Sequence, residues 1–224
     1  MGLYDDVANI KAIKEQTGAK KIFYLGYSQG TVQMFYALAH QDDWFSENLY
    51  KYLAFAPCTT CPADGTESYW LGNLYKFQEM GINSIYGDSL RWDKDHAKIC
   101  AELGEEACNM VADRTLGTWQ PVSVQNELHW WQNSFYPDRF QEFAPQWQEG
   151  KREMPQVDLT KIKKTKISML VGKEDGFCPH STALATAGTI GNAVVNFTTI
   201  PDVGHSYFGY ANGNWFVDLV KSQL

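Results

Sequence analysis

A serine lies at the centre of residues 26–30, which match the pattern G-x-S-x-G. A compact apolar run at 21–26 leads into this pentapeptide, and an apolar segment at 31–40 leads out of it. This setting predicts a sharp turn between a strand and a helix, on which a serine hydroxyl is exposed. We therefore predict that Ser28 is a nucleophile and that the backbone N–H of Gln29 faces a developing oxyanion.

A carboxylate and a histidine follow the serine in the chain order Ser, acid, His that such a turn requires. The strand predicted at 166–172 ends beside Asp175, and the strand predicted at 194–200 is followed by His205 in a glycine-containing loop. We expect His205 to take the proton of Ser28 while Asp175 holds the other ring nitrogen.

Other acids and histidines are weaker candidates for these two roles. Glu174 is the alternative to Asp175, because a one-residue difference in the loop would exchange them. Asp202 is a weaker candidate for the acid, and we interpret it as a turn residue. His129 precedes the acid in the chain, and His180 lies too close to Asp175 in sequence to reach around it. The remaining histidines, which we interpret as surface residues, are His40 and His96.

The elements around these residues alternate between strand and helix, which predicts a parallel sheet with helices on its faces, an α/β fold. The predicted strands are 21–26, 52–56, 166–172 and 194–200, and the predicted helices are 5–17, 31–40, about 180–190 and the C-terminal segment. Residues 58–160 break the alternation and are rich in aromatic residues. We interpret 1–57 and 161–224 as the core and 58–160 as a cap or lid insertion.

Composition excludes several function classes. With 224 residues, 44% of them hydrophobic and 20% charged, the chain can form a substantial core and is not a disordered protein. A net charge of −7 argues against a nucleic-acid partner. No apolar run reaches membrane-spanning length, and no signal peptide is predicted at the N-terminus. The predicted chemistry needs neither a cofactor nor a metal.

Two segments resemble the acid lipase family of α/β-hydrolases, which contains the gastric and lysosomal acid lipases. Residues 26–31 resemble its G-H-S-Q-G-T, with Tyr27 in place of the histidine. The second segment resembles the family's G-T-S-V-Q-N-x-x-H-W-x-Q, with residues 119–122 inserted. Its matching residues are Gly117-Thr118, Ser123-Val-Gln-Asn126, His129-Trp130 and Gln132.

This resemblance implies the α/β-hydrolase fold, with Ser28 as nucleophile, Asp175 as acid and His205 as base. It also implies a lipase that cleaves fatty-acid esters of neutral lipids under a mobile lid, at a lipid–water interface. Family members are secreted or lysosomal, and the resemblance implies the same compartment here.

The chain departs from the family at its N-terminus. A nucleophile at position 28 leaves room for one helix and one strand before it, so the loop that supplies a second oxyanion N–H has no counterpart. The strand at 21–26 would then be an open sheet edge, where a partner or a second copy could pair. Three explanations stay open: an incomplete N-terminus, which we favour, completion by a partner, or a catalytically incompetent subunit that binds lipid or protein.

Five cysteines are present: Cys58, Cys61, Cys100, Cys108 and Cys178. The C-x-x-C spacing of Cys58 and Cys61 would suit a zinc half-site or a redox pair, but no second close pair accompanies it. The family resemblance implies a disulfide between Cys100 and Cys108. A bond between Cys58 and Cys61 is less favoured, and Cys178 is expected to be free.

Overall fold

The computed structural model describes residues 1–60, 67–85, 101–102, 122–134, 136, 138–144, 154–210 and 215–223. The chain separates into two compact units. The first unit comprises Met1–Pro62, Asp138–Phe140 and Gln156–Leu224, and the second comprises Ala63–Pro137 and Gln141–Pro155. The role of a cap for residues 58–160 stays a prediction.

Within the described residues, the strands form two sheets. They are β1 (Ile22–Tyr27), β2 (Leu49–Phe55), β3 (Ser84–Ile85), β4 (Val122–Ser123), β5 (Ile167–Gly172) and β6 (Val194–Ile200). In the first unit, β1, β2, β5 and β6 form a parallel sheet in that order. In the second unit, β3 and β4 form an antiparallel pair. The parallel sheet predicted from the alternation of elements is confirmed.

Helices connect these strands. The α-helices whose bounds lie in the described part of the chain are α1 (Val7–Thr17), α2 (Gln29–Asn48), α3 (Glu67–Glu79), α4 (Val124–Ser134), α5 (His180–Ile190), α6 (Tyr207–Tyr210) and α7 (Trp215–Gln223). Helix α1 ends at Gly18, whose φ of 69° is the left-handed conformation that glycine adopts without strain. Helix α2 is longer than predicted, because it continues beyond a kink at Gln41. None of the described helices combines the length and apolar character needed to span a membrane.

The central strands of the parallel sheet are buried on both faces, as their apolar sequences require. Tyr52 in β2 and Met169 in β5 belong to the main core, which includes residues of α1, α2 and α5. Leu53 and Leu170, the next residues along the same strands, belong to a second cluster with side chains of α6 and α7. Successive residues of a strand point to opposite faces, so the sheet separates the two clusters.

Strand β1 lies at one end of the strand order and pairs with β2. Phe23 and Leu25, which share one face of this strand, are 40% and 51% exposed, so that face is partly open to solvent. The structure therefore agrees with the expected edge position of this strand. Association of a partner or second copy at the edge stays a prediction.

In the second unit, α3 and α4 contribute to a separate apolar cluster that includes Phe77 and Leu128. The buried amide of Gln132 holds α4 to the segment that follows it. Its Nε2 donates to the carbonyl oxygen of Ala144 at 2.8 Å, and its Oε1 accepts from the N–H of Ala144 at 3.1 Å. Nε2 also donates to the hydroxyl of Tyr75 on α3 at 2.8 Å. One side chain thus ties three parts of this unit together.

Candidate active site

Ser28 lies on the turn between β1 and α2, as predicted. Its φ of 52° and ψ of −116° are uncommon for a residue with a side chain, and such strained conformations cluster at functional sites. A Cβ atom at Gly26 would lie 2.8 Å from the carbonyl oxygen of Gly30. Glycine at position 26 is therefore what allows the strand to pass so close to the start of the helix.

Backbone and hydroxyl hydrogen bonds hold this turn. The N–H of Ser28 donates to the carbonyl oxygen of Phe55 at the end of β2, at 3.1 Å. The carbonyl oxygen of Ser28 accepts from the N–H of Thr31 at 2.8 Å and from its hydroxyl at 2.5 Å. Gln29 is the first residue of α2, so its N–H lies at the positive end of the helix dipole.

The three side chains predicted to act together are in hydrogen-bond contact. Ser28 Oγ lies 2.8 Å from His205 Nε2, and His205 Nδ1 lies 2.9 Å from Asp175 Oδ2. A proton on Nδ1 satisfies both contacts, because that N–H donates to Asp175 while the hydroxyl of Ser28 donates to Nε2. The side chain of Asp175 is fully buried and that of His205 is 16% exposed. The arrangement can move a proton from the serine to the imidazole.

The loop after β5 decides which carboxylate reaches the histidine. The backbone N–H of Glu174 donates to the carbonyl oxygen of Val203 at 3.0 Å, in the loop that carries His205. A Cβ atom at Gly172 would lie only 2.2 Å from the same oxygen, so glycine permits this close approach of the two loops. With the loops held in this way, Asp175 and not Glu174 contacts the ring.

The second carboxylate oxygen of Asp175 accepts two backbone N–H groups of its own loop. Phe177 donates at 3.0 Å and Cys178 at 2.7 Å to Oδ1. The rival acid, Asp202, is exposed in the turn after β6 and has a φ of 56°. The acid loop therefore fixes the carboxylate through its backbone.

Two aromatic residues lie beside the imidazole. The hydroxyl of Tyr27 donates to the carbonyl oxygen of His205 at 3.0 Å, and the two rings are 5.6 Å apart. The ring of Phe177, whose residue is 55% exposed, lies 5.0 Å from that of His205. Tyr27 thus supports the backbone of the histidine loop, a role that the pattern G-x-S-x-G does not reveal.

The disulfide of the described region differs from the expectation. Cys58 is bonded to Cys178, with Cα atoms 5.2 Å apart and 120 residues of separation in sequence. The expectation of a free Cys178 is therefore wrong, and the less favoured bond between Cys58 and Cys61 is not formed. The reason is topological, because β2 and β5 are neighbours and the two cysteines follow their adjacent carboxyl ends. Cys61, Cys100 and Cys108, with the bond expected between the last two, lie outside the described residues.

The two sulfur atoms and a ring nitrogen of His205 lie within 4.8 Å of one another, which brings three potential metal ligands together. Because Cys58 and Cys178 are bonded to each other, their sulfur atoms are not thiolates, the form in which cysteine binds metals.

The other described histidines have partners of their own. His129 Nε2 lies 2.8 Å from the carbonyl oxygen of Gln141, and burial lowers the pKa of His129. His180 contacts the hydroxyl of Thr199 at 2.8 Å, and His40 contacts a backbone carbonyl of its own helix. His96 lies outside the described residues.

A parallel sheet with a strand–serine–helix turn, an acid after one strand and a histidine after the next defines the α/β-hydrolase fold. The solved structure of the alpha/beta hydrolase GrgF from Penicillium sp. sh18 is similar, with a TM-score of 0.54 and 14% identity over 97% of this chain and 67% of that chain. The fold class predicted from the sequence is confirmed.

Among curated proteins, the chain is similar in sequence to lipases. It is 27% identical to lipase lipl-5 of Caenorhabditis elegans, over 75% of this chain and 49% of the relative. It is 28% identical to the lysosomal acid lipase/cholesteryl ester hydrolase of Macaca fascicularis, over 58% of this chain and 38% of the relative. The chain spans half or less of the length of these relatives, and no protein-family model matches it. The resemblance to acid lipases noted in the motifs is confirmed.

Proposed function

We propose that this chain carries the catalytic triad of a serine ester hydrolase that cleaves fatty-acid esters of neutral lipids. One observation supports this proposal above the others: Ser28, His205 and Asp175 form a continuous chain of hydrogen bonds at 2.8 and 2.9 Å. Their order along the chain and their places after successive elements are those of an α/β-hydrolase. The names of the relatives, which are lipases and a cholesteryl ester hydrolase, support the lipid class of the substrate.

The proposed reaction begins when His205 Nε2 accepts the proton of Ser28. Ser28 Oγ then bonds to the ester carbonyl carbon, and the carbonyl oxygen becomes an oxyanion to which the Gln29 N–H donates. The intermediate breaks its bond to the alcohol, which leaves with the proton from His205, and an acyl-enzyme remains. Water, deprotonated by His205, attacks this ester. The bond between the acyl carbon and Ser28 Oγ breaks, His205 returns the proton to that oxygen, and the fatty acid is released. Asp175 holds the imidazole in the required tautomer throughout.

The compartment proposed for the protein is lysosomal or extracellular. The support comes from the lysosomal acid lipase among its relatives and from the disulfide between Cys58 and Cys178. Disulfides persist in oxidising compartments outside the cytosol.

The alternative function is that of a hydrolase-like subunit that binds lipid or protein without turnover. The observation in its favour is the edge position of β1, where Phe23 and Leu25 are half exposed and a partner strand could pair. This alternative predicts a folded chain whose serine does not react.

Labelling with a fluorophosphonate probe, which reacts with activated serines, tests the proposal. The adduct is mapped by mass spectrometry in the unmodified chain, in Ser28→Ala and in Ser46→Ala, a matched control at a partly exposed serine of α2. We expect an adduct at Ser28 that is absent from Ser28→Ala and retained in Ser46→Ala. Hydrolysis of a soluble butyrate ester and of emulsified long-chain triacylglycerol then defines the substrate class. A folded chain that neither reacts nor hydrolyses would overturn the proposal.

A further inference from the structure

The disulfide between Cys58 and Cys178 lies next to the imidazole of the proposed active site. Both residues are fully buried, and their sulfur atoms are within 4.8 Å of a ring nitrogen of His205. Cys58 follows β2 and Cys178 follows β5, so the bond joins two loops at the same end of the sheet as the serine turn.

On one side, the bond anchors the loop of the acid. The N–H of Cys178 donates to Asp175 Oδ1 at 2.7 Å, while Oδ2 of the same carboxylate contacts His205 at 2.9 Å. A shift of the backbone at Cys178 would therefore weaken one of the two backbone hydrogen bonds that hold the carboxylate facing the imidazole.

On the other side, the bond anchors the turn of the nucleophile. The N–H of Cys58 donates to Thr31 Oγ1 at 2.9 Å, and the same hydroxyl donates to the carbonyl oxygen of Ser28 at 2.5 Å. Cys58 is thus two hydrogen bonds away from the backbone of the serine.

We propose that the Cys58–Cys178 disulfide is a positioning element of the active site, which fixes the loop of Asp175 relative to the turn of Ser28. His205 must contact both residues at once, so the spacing of their two backbones determines whether the chain of hydrogen bonds closes. This proposal rests on the proposed function. It makes hydrolysis dependent on the redox state of one bond.

Reduction by a dithiol reverses the cross-link without changing the sequence. The two thiols of the reagent supply two electrons and two protons, the S–S bond breaks, and Cys58 and Cys178 become thiols while the reagent becomes a disulfide. A cross-link between residues 120 apart also stabilises the whole fold by restricting the unfolded chain. The test must therefore separate positioning from stability.

The test compares Cys58→Ala, Cys178→Ala and the double variant with the unmodified chain, well below their unfolding temperatures. Alanine retains the backbone N–H at both positions, so the hydrogen bonds of these N–H groups can persist while the cross-link and its sulfur atoms are lost. We expect kcat per fluorophosphonate-titrated site to fall about 10- to 100-fold with KM for a soluble ester nearly unchanged. Dithiol treatment should lower kcat of the unmodified chain by the same factor, reoxidation should restore it, and the double variant should not respond.

Thr59→Val is the matched control. The hydroxyls of Thr59 and Thr186 share a hydrogen bond of 2.6 Å, so the change loosens the loop beside Cys58 while the disulfide stays intact. We expect lower stability and unchanged kcat. A folded double variant with the kcat of the unmodified chain would overturn the proposal, as would an equal loss of kcat in Thr59→Val.

Proton NMR gives a readout that needs no turnover. The hydrogen-bonded Nδ1 proton of His205, assigned by its absence from His205→Gln, should give a low-field signal in the unmodified chain and in Thr59→Val. We expect it to weaken or disappear in the double variant and on reduction. If the signal responds in this way but no ester is hydrolysed, the proposed function fails and the positioning role stands. If the low-field signal is the same with and without the disulfide, the positioning role is overturned.

Discussion

The two compact units use their buried polar contacts differently. In the first unit, the contact between Ser28 and His205 joins residues 177 positions apart. In the second unit, the contact between His129 and Gln141 spans 12 positions, as does the contact of Gln132 with Ala144. The long contacts form a site with reactive groups, whereas the short ones hold a helix to the segment that follows it.

The difference follows from the architecture of each unit. Parallel strands need crossover connections, so the carboxyl ends of neighbouring strands bring together residues that are distant in sequence. A helix followed by an extended segment can satisfy polar groups locally, although Gln132 also donates to Tyr75, 57 positions away. We therefore expect changes at the site of the first unit to alter catalysis, and changes at the polar contacts of the second unit to alter stability.

The largest effect is expected for Asp175→Asn. The amide keeps the shape of the side chain but favours the wrong tautomer of His205, and such a change lowers kcat by roughly 10⁴-fold in a serine triad. The measurement is kcat on a soluble ester together with the thermal unfolding midpoint. Asp202→Asn, in an exposed turn, is the control and should leave kcat unchanged. A loss of less than tenfold would show that Asp175 does not orient the base.

A smaller effect, on stability, is expected for Gln132→Leu in the second unit. Leucine leaves the N–H and carbonyl groups of Ala144 and the hydroxyl of Tyr75 without the bonds they now make. We expect a loss of about 2–4 kcal/mol in the free energy of unfolding, measured with urea by tryptophan fluorescence. Gln125→Leu, at an exposed position of the same helix, should change it by less than about 0.5 kcal/mol. Equal losses in the two variants would contradict the scaffolding role of Gln132.

A modest effect on catalysis is expected for Tyr27→Phe. The change removes the hydrogen bond from the hydroxyl to the carbonyl oxygen of His205 and keeps the ring beside the imidazole. A neutral hydrogen bond contributes about 1 kcal/mol, so kcat should fall by about fivefold if the bond holds the histidine loop. Tyr4→Phe, at a tyrosine that is 79% exposed, should have no effect. An unchanged kcat in Tyr27→Phe would mean that the loop is held by its other contacts.

The smallest effect is a pH dependence in the second unit. Burial lowers the pKa of His129 below its ordinary value of 6.5, so the unfolded chain binds a proton there before the folded chain does. Stability from this residue is therefore present above pH 6.5 and is lost as the pH falls below it. Urea unfolding is measured at pH 7.5 and pH 5. Between these two values the free energy of unfolding should fall less in His129→Gln than in the unmodified chain. Equal losses would contradict a buried, neutral His129.

Much of the first unit could be predicted from the sequence. Each of its four strands was placed within a few residues, because apolar runs bounded by glycine and proline are strong strand signals. Helix α2 was predicted too short, since the chain beyond Gln41 is polar and its helix depends on packing. The bond between Cys58 and Cys178 was missed, because connectivity over 120 residues requires the order of strands in the sheet.

By itself, the sequence determined which side chains have the right chemistry and the right order: the serine between two glycines, the acids after the third predicted strand, and the histidine after the fourth. Those signals are local, since they depend on apolar runs and on turn residues. Only the tertiary structure decided that Asp175 and not Glu174 contacts His205, because the close approach of Gly172 to Val203 fixes the two loops. The tertiary structure also placed the disulfide next to the site, since the adjacent strands β2 and β5 bring residues together that are distant in sequence.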